Sequence, residues 1–224
     1  MVLILPEGIS EELAEETGWH IGDGSMNYYH NSGRVKGLYQ LRGHIEDDKS
    51  HYLIRIKPLF KKLYGFDLNL REMPSTRVFG FQIWSDELIE FKKKLGLGLG
   101  PKLNIAIPSK FLESESLKIA VLRGIFDTDG CVYLEKKNGK LYPRLEIFTI
   151  SNLLAQQIHD IQQELGFRTT KYMSEKANRI NSNKIQGYKI CIRGEKMFHK
   201  FMKIICPHNP KHLAKYRFFT QSFK

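Results

Sequence analysis

Two Asp-Gly pairs, Asp23-Gly24 and Asp129-Gly130, each close a stretch of chain with small residues four apart: Ala14, Gly18 and Gly22 before the first, Ala120, Gly124 and Thr128 before the second. Four-residue spacing puts the three small side chains on one stripe of a helix. Such a stripe lets two helix backbones approach more closely than Leu or Ile would permit. Packed stripe on stripe, the two helices would bring Asp23 and Asp129 to a shared foot. Carboxylates held that close repel unless protons or divalent cations intervene, and an anionic, oxygen-rich site suits Mg²⁺. The chemistry to expect is cation-assisted, on an axis relating two halves of one chain.

The partner follows from charge. The 224 residues carry 35 Lys and Arg against 24 Asp and Glu, a formal net charge of +11. An excess of that size points to a polyanion, nucleic acid ahead of a membrane surface. Hydrophobic residues make up 42% and charged residues 26%, a balance that argues for a folded chain. Cys131, Cys191 and Cys206 are odd in number and far apart, so they build neither a disulfide framework nor a CxxC knuckle. With no signal peptide after the apolar start at 2–5 and no span-length apolar run, the expected setting is intracellular, cytoplasmic or organellar, without a membrane partner.

The elements that must position the acids are written twice. After Asp23-Gly24, the runs 25–31 and 35–45 form a hairpin signal. Helical spacing follows at 47–64 (Leu53, Ile56, Phe60, Leu63), with Pro58 expected to end or kink it. Strand-like runs come next at 66–71 and 77–84, and Ser85 then caps a helix to Leu95. In the second half, 131–136 and 142–150 form a hairpin turning at Asn138-Gly139, and Ser151-Asn152 opens a helix ending at Leu165-Gly166. Runs 168–174 and 187–193 form the second strand pair, and a last helix covers 195–205. The helix-ending Gly65 and Gly166, and Pro-Lys at 101 and 210, recur in register. A repeat of half the chain means two similar subdomains, 1–112 and 113–224. The expected fold is α+β: two pseudo-symmetric αββαββα subdomains, a saddle of two antiparallel sheets, with the motif helices paired at the centre.

Strand alternation sorts the faces. Ser25, Asn27, Tyr29 and Asn31 share one face with Gln40 and Arg42; Tyr133, Glu135 and Lys137 share the matching face with Arg144 and Glu146. Met26, Val132, Leu145 and Ile147 point the other way, towards helices. Arg71, Arg77, Thr170 and Tyr172 extend the open faces. These side-chain types bond base edges and phosphates, and a two-stranded ribbon fits the major groove. Double-stranded DNA is the expected partner.

The segment Leu122-Arg123-Gly124-Ile125-Phe126-Asp127-Thr128-Asp129-Gly130 resembles the nine-residue LAGLIDADG motif, and Glu16-Thr17-Gly18-Trp19-His20-Ile21-Gly22-Asp23-Gly24 is similar to a weaker second copy. With the element order, the resemblance covers nearly the whole chain and implies a monomeric, two-motif homing endonuclease that hydrolyses one phosphodiester on each strand of a long asymmetric site. It implies that Asp23 and Asp129 are catalytic metal ligands, that the carbonyls of Gly22 and Thr128 complete the inner shell, and that two or three Mg²⁺ ions are used, with Mn²⁺ substituting. A basic or amide residue at a strand end completes such sites; Gln82 and Lys189 are the candidates here. Ile21 stands where the second motif has Asp127, and Trp19 and His20 are bulky, departures that bear on packing more than on chemistry. The alternative on the same scaffold is an intron RNA maturase or a DNA-binding regulator that does not cleave.

Other motifs are weaker. A calcium loop opening at Asp127 needs a Glu at its twelfth position, where Asn138 stands. Gly96, Gly98 and Gly100 follow a helix rather than a strand, and no GK[ST] occurs. Cys206, His208 and His212 offer zinc-ligand types without an evident fourth partner, and the terminal residues of a self-splicing protein are absent.

Overall fold

The computed structural model describes residues 3–31, 33–177 and 184–222. Its first half runs α1 (Glu11–Asp23), β1 (Gly24–Asn31), β2 (Arg34–His44), α2 (Lys49–His51) leading to α3 (Lys57–Tyr64), β3 (Arg71–Met73), β4 (Val78–Trp84) and α4 (Asp86–Leu95). The second runs α5 (Glu115–Asp129), β5 (Gly130–Lys137), β6 (Lys140–Thr149), α6 (Asn152–Glu164), β7 (Thr169–Ala177), β8 (Lys184–Arg193), α7 (Glu195–Ile204) and α8 (Pro210–Gln221). Each half holds one antiparallel four-stranded sheet, ordered β1-β2-β4-β3 and β5-β6-β8-β7. The two orders match, as the internal repeat requires. Among the described residues no helix is long and apolar enough to cross a membrane.

Helices α1 and α5 start alike. Ser10 and Ser114 accept hydrogen bonds from the backbone N–H groups of Leu13 and Leu117 at 3.1 and 3.3 Å, satisfying donors that a helix start leaves free. The small-residue stripes meet. A Cβ on Gly18 would lie 2.8 Å from the Gly124 Cα and also collide with the Val121 carbonyl oxygen, and one on Gly124 would lie 2.9 Å from the Gly18 Cα. Only hydrogen fits between these backbones. A Cβ on Gly22 would overlap the Thr128 side chain, so the close approach persists to the helix feet.

The inner sheet faces and the outer helices enclose a core that includes Met26, Tyr39, Leu41 and Phe81 in the first half and Val132, Leu145, Ile147 and Ile190 in the second. An ion pair is buried in it. Lys92 of α4, fully buried, bonds Glu16 of α1, which also accepts from the Tyr39 and Tyr64 hydroxyls at 3.2 and 3.3 Å. Burial pulls the Lys92 ammonium below its usual range, and the Glu16 charge opposes that shift.

Three expectations change. Pro58 does not break its helix, because a wide π segment, Tyr52–Ile56, lies just before it and Pro58 falls in the first turn of α3. The wider turn removes the clash that a proline makes with the carbonyl one α-turn earlier. The run 66–71 is not a strand; β3 starts only at Arg71 and gives way to a 3-10 turn at Pro74–Thr76. Finally α8, capped by Asn209 and opened by Pro210, extends the second half beyond the repeat.

Two stability outcomes follow. Gly18→Leu or Gly124→Leu should cost at least about 1–3 kcal/mol by overpacking, because backbone rather than a yielding side chain fills the space; unchanged thermal unfolding would mean the stripes do not touch. Lys92→Met leaves Glu16 in the core without its cation, and should cost about 3–5 kcal/mol in denaturant unfolding.

Candidate nucleic-acid cleavage site

The close helix pair ends in the two acids. A Cβ on Gly22 would stand 3.5 Å from the Asp129 carboxyl carbon, which places the foot of one helix against the acid of the other. Asp23 is half-buried, and its Oδ2 is enclosed without a hydrogen-bond partner. Burial raises the Asp23 carboxyl well above the ordinary carboxylate range, with Asp129 and then Asp48 adding to it. The Asp129 carboxyl is also raised, chiefly by the protein packed around it, against the pull of Lys102, Lys176 and Lys211. Its side chain is exposed to solvent, so that desolvation is partial. An orphaned buried carboxylate oxygen beside a second carboxylate is a hard-oxygen donor set suited to a divalent cation.

The Gly22 and Thr128 carbonyls face lysines. Lys102 Nζ donates to the carbonyls of His20, Ile21 and Gly22 at 2.9, 3.0 and 2.6 Å, capping α1 at its negative end. Burial lowers the Lys102 ammonium, and the charges of Asp129 and Asp23 oppose the shift. Lys211 occupies the matching place in the other half. Its Nζ lies 3.5 Å from the Thr128 carbonyl and 2.7 Å from Asp48 Oδ1. These are the lysines of the two Pro-Lys landmarks. The recurrence was visible in the sequence, but chain spacing alone does not show that both loops return to the helix feet.

Gln82 and Lys189 have other partners. Gln82 Oε1 accepts from Arg42 at 3.1 Å, and Lys189 pairs with Glu146 at 3.2 Å. Most of the proposed DNA-facing residues lie on the open sheet faces. Ser25, Tyr29, Tyr133, Lys137, Thr170 and Tyr172 are exposed, while Asn27, Gln40, Arg42, Glu135, Arg144 and Glu146 are half-buried. Their neighbours Met26, Tyr39, Leu41, Val132 and Leu145 are buried behind them. Arg71 is exposed at the start of β3. The side chain of Asn31 lies outside the described residues. Arg77 is a correction: it sits in a left-handed turn before β4, with φ 54°, 3.5 Å from Glu46, and is not on a strand face.

A second polar cluster joins the halves higher up the helix pair. Glu15, Asp127 and His208 bring ligand atoms within 4.8 Å of one another. Arg55 grips Glu15 through two hydrogen bonds of 2.8 and 2.6 Å, His208 Nδ1 lies 2.9 Å from it, and Arg123 lies 3.5 Å away. Asp127 accepts the backbone N–H groups of His208 and Asn209 at 3.0 Å. Despite its burial, these partners hold the Glu15 carboxyl down to about 2, whereas burial pushes Asp127 up to about 7. The carboxylates are already neutralised or bonded, so the cluster is a clasp between halves. It also dissolves the zinc reading: His208 serves Glu15, while buried His212 lies 3.0 Å from the Phe126 carbonyl.

Comparison with known proteins agrees with this geometry. Residues 116–206 match the family model of the LAGLIDADG-like domain. No curated protein sequence matches the chain. Variants of the homing endonuclease I-DmoI superpose with a TM-score of 0.61 at 16% identity, covering 87% of this chain and 95% of theirs. I-DmoI in complex with DNA and Mn gives 0.58 at 17% identity, covering 88% and 97%. The LAGLIDADG meganuclease I-AabMI bound to uncleaved DNA gives 0.52 at 14%, covering 92% and 88%. The N-terminal LAGLIDADG domain of WhiA gives 0.51 at 17%, covering 90% and 86%. Residues 116–206 are thus similar to the LAGLIDADG-like domain, and the chain as a whole shares the paired two-unit fold of these structures.

Proposed function

We propose that the chain is a site-specific double-strand DNA endonuclease that acts as a monomer and depends on a divalent cation. The observation that carries this reading is the orphaned Asp23 oxygen beside Asp129, at the foot of the paired helices and between two polar sheet faces. Asp23 and Asp129 would hold the cation, which when bound supplies charge neutralisation at the phosphate and an activated water. The helix pair fixes the spacing of the acids. The two sheets lie over opposite halves of the duplex, so one scissile phosphate of each strand faces the acids. Lys102 and Lys211 hold positive charge beside the leaving oxygens. Mg²⁺ is the expected ion, with Mn²⁺ able to replace it; the crystallised complex of I-DmoI with DNA and Mn supports that choice.

A second reading is DNA binding without cleavage. It draws on the ammonium groups of Lys102 and Lys211 set at the Gly22 and Thr128 carbonyls, where an inner-shell ligand would otherwise face a cation. Plasmids carrying random inserts, incubated with protein and Mg²⁺ and mapped for new ends, separate the two. The endonuclease reading expects discrete double-strand ends.

Three outcomes are expected of cutting measured in that assay and of DNA binding measured beside it. Asp23→Asn and Asp129→Asn should each abolish cutting while leaving DNA retention in a gel intact, since the sheet faces are untouched; efficient cutting by either variant would remove that acid from the reaction. Arg42→Ala should weaken binding alike for all sequences and flatten its salt dependence, because Arg42 lies level with the acids. Protons compete with the cation for carboxyls that burial makes harder to ionise. Cutting should therefore climb with pH above the ordinary carboxylate value of about 4 and level off once both are ionised. A rate already flat just above that value would contradict the raised carboxyls.

A further inference from the structure

The two open sheet faces are the same in backbone register and opposite in chemistry. Each face can be indexed in rows across its strands, starting at the acids. In the first sheet Gly24 pairs with Leu41, so Arg42 is level with Asp23; across Gly80 it is joined by Arg71. In the second, Gly130 pairs with Ile147, so Phe148 is level with Asp129, and Lys189 and Tyr172 complete that row. These first rows put cations beside the acids on both sides, where the scissile phosphates must lie.

The next two rows differ. In the first sheet the second row is Ser25, Gln40 and Gln82, and the third is Asn27, Leu38 and Trp84. A hydroxyl, amides and apolar groups make up these positions, with Leu38 buried among them. In the second sheet the corresponding rows are Cys131, Glu146 and Cys191, then Tyr133, Arg144 and Arg193. Position for position, Gln40 is replaced by Glu146, and Leu38 by Arg144.

Base edges discriminate among these groups. Asn and Gln bond adenine through its N6 and N7, and apolar side chains contact the thymine methyl. Arg bonds guanine O6 and N7, and Glu accepts from cytosine N4. The charged groups of the second sheet are also held in place. Arg144 donates to Glu135 at 2.8 Å and to Glu146 at 3.4 Å, and Glu146 is further held by Lys189. A cleft of about 710 Å³ opens over this part of the sheet and includes Glu135, Arg144 and Arg193 in its wall. Rotamers fixed in this way lose less freedom on binding. Arg144 and Lys189 balance the charge of Glu135 and Glu146 on a face that meets a polyanion, and the carboxylates can still accept from cytosine amino groups.

We infer that the DNA target is chemically asymmetric: A·T pairs lie under the second and third rows of the first sheet, and G·C pairs under the same rows of the second. The inference rests on the DNA-reading function proposed above and adds the base class that each half takes. It assigns Gln40, Gln82 and Asn27 to adenine and thymine, and Glu146, Arg144 and Arg193 to guanine and cytosine.

The experiment is selection from a randomised duplex library by the full-length protein in Ca²⁺, followed by sequencing of the retained duplexes, with Arg144→Gln and Glu146→Gln run in parallel. The expected result is a retained site with one A·T-weighted and one G·C-weighted half. Each variant should lose about tenfold or more of the G·C preference at positions in the G·C half alone. Retained sites with the same base composition in both halves would overturn the inference, as would variants that select the wild-type sequence unchanged. Both outcomes leave DNA reading itself in place. A library from which no sequence is enriched would overturn the underlying function instead.

Discussion

Everything at the candidate site hangs on the approach of two backbones. Gly18 and Gly124 face each other with no room for a Cβ on either, and this contact sets the axis about which the halves are arranged. A single methyl would spread the helices, and the shift would be felt at their feet, where Asp23 and Asp129 stand. Interiors packed at crystal density transmit such strain rather than absorb it. The glycines are therefore part of the site although they touch nothing that reacts.

Around that contact, polar groups tie the halves in layers. Highest is the Glu15 cluster, in which Arg55 of the first half and His208 and Arg123 of the second converge on one carboxylate. Below it, Asp127 accepts the backbone of the loop that leads into α8, and Asn209 of that loop reaches Asp48 of the other half at 2.8 Å. Lowest are Lys102 and Lys211 at the helix ends. Asp23 at the bottom keeps an unsatisfied oxygen, while the carboxylates above it are fully bonded. A carboxylate left without partners in such a structure is free for an external ligand, and the burial that isolates it also raises its affinity for a proton or a metal.

Much of this was legible in the chain. The small-residue stripes, the Asp-Gly pairs, the two hairpins and the buried faces at Met26 and Val132 are local signals with fixed periods, and the structure agrees with them. What the sequence hid depends on distance along the chain. Lys102 and Lys211 lie some 80 residues from the carbonyls they approach, and only the fold shows that their loops return to the helix feet. Pro58 misled because a proline's effect depends on the turn before it, and nothing local announces a π segment. Arg77 looked like the start of a strand, yet its backbone is in the left-handed region. Helix α8 was masked by a repeat that had already been completed.

The central claim is that the helix pair sets Asp23 and Asp129 to share a cation between the sheets. Anomalous diffraction from crystals of the protein with bound duplex and Mn²⁺ tests it most directly. A peak is expected within coordination distance of both carboxylates, about 2.0–2.6 Å from their oxygens. No peak there, or one at Glu15, Asp127 and His208 instead, would contradict it.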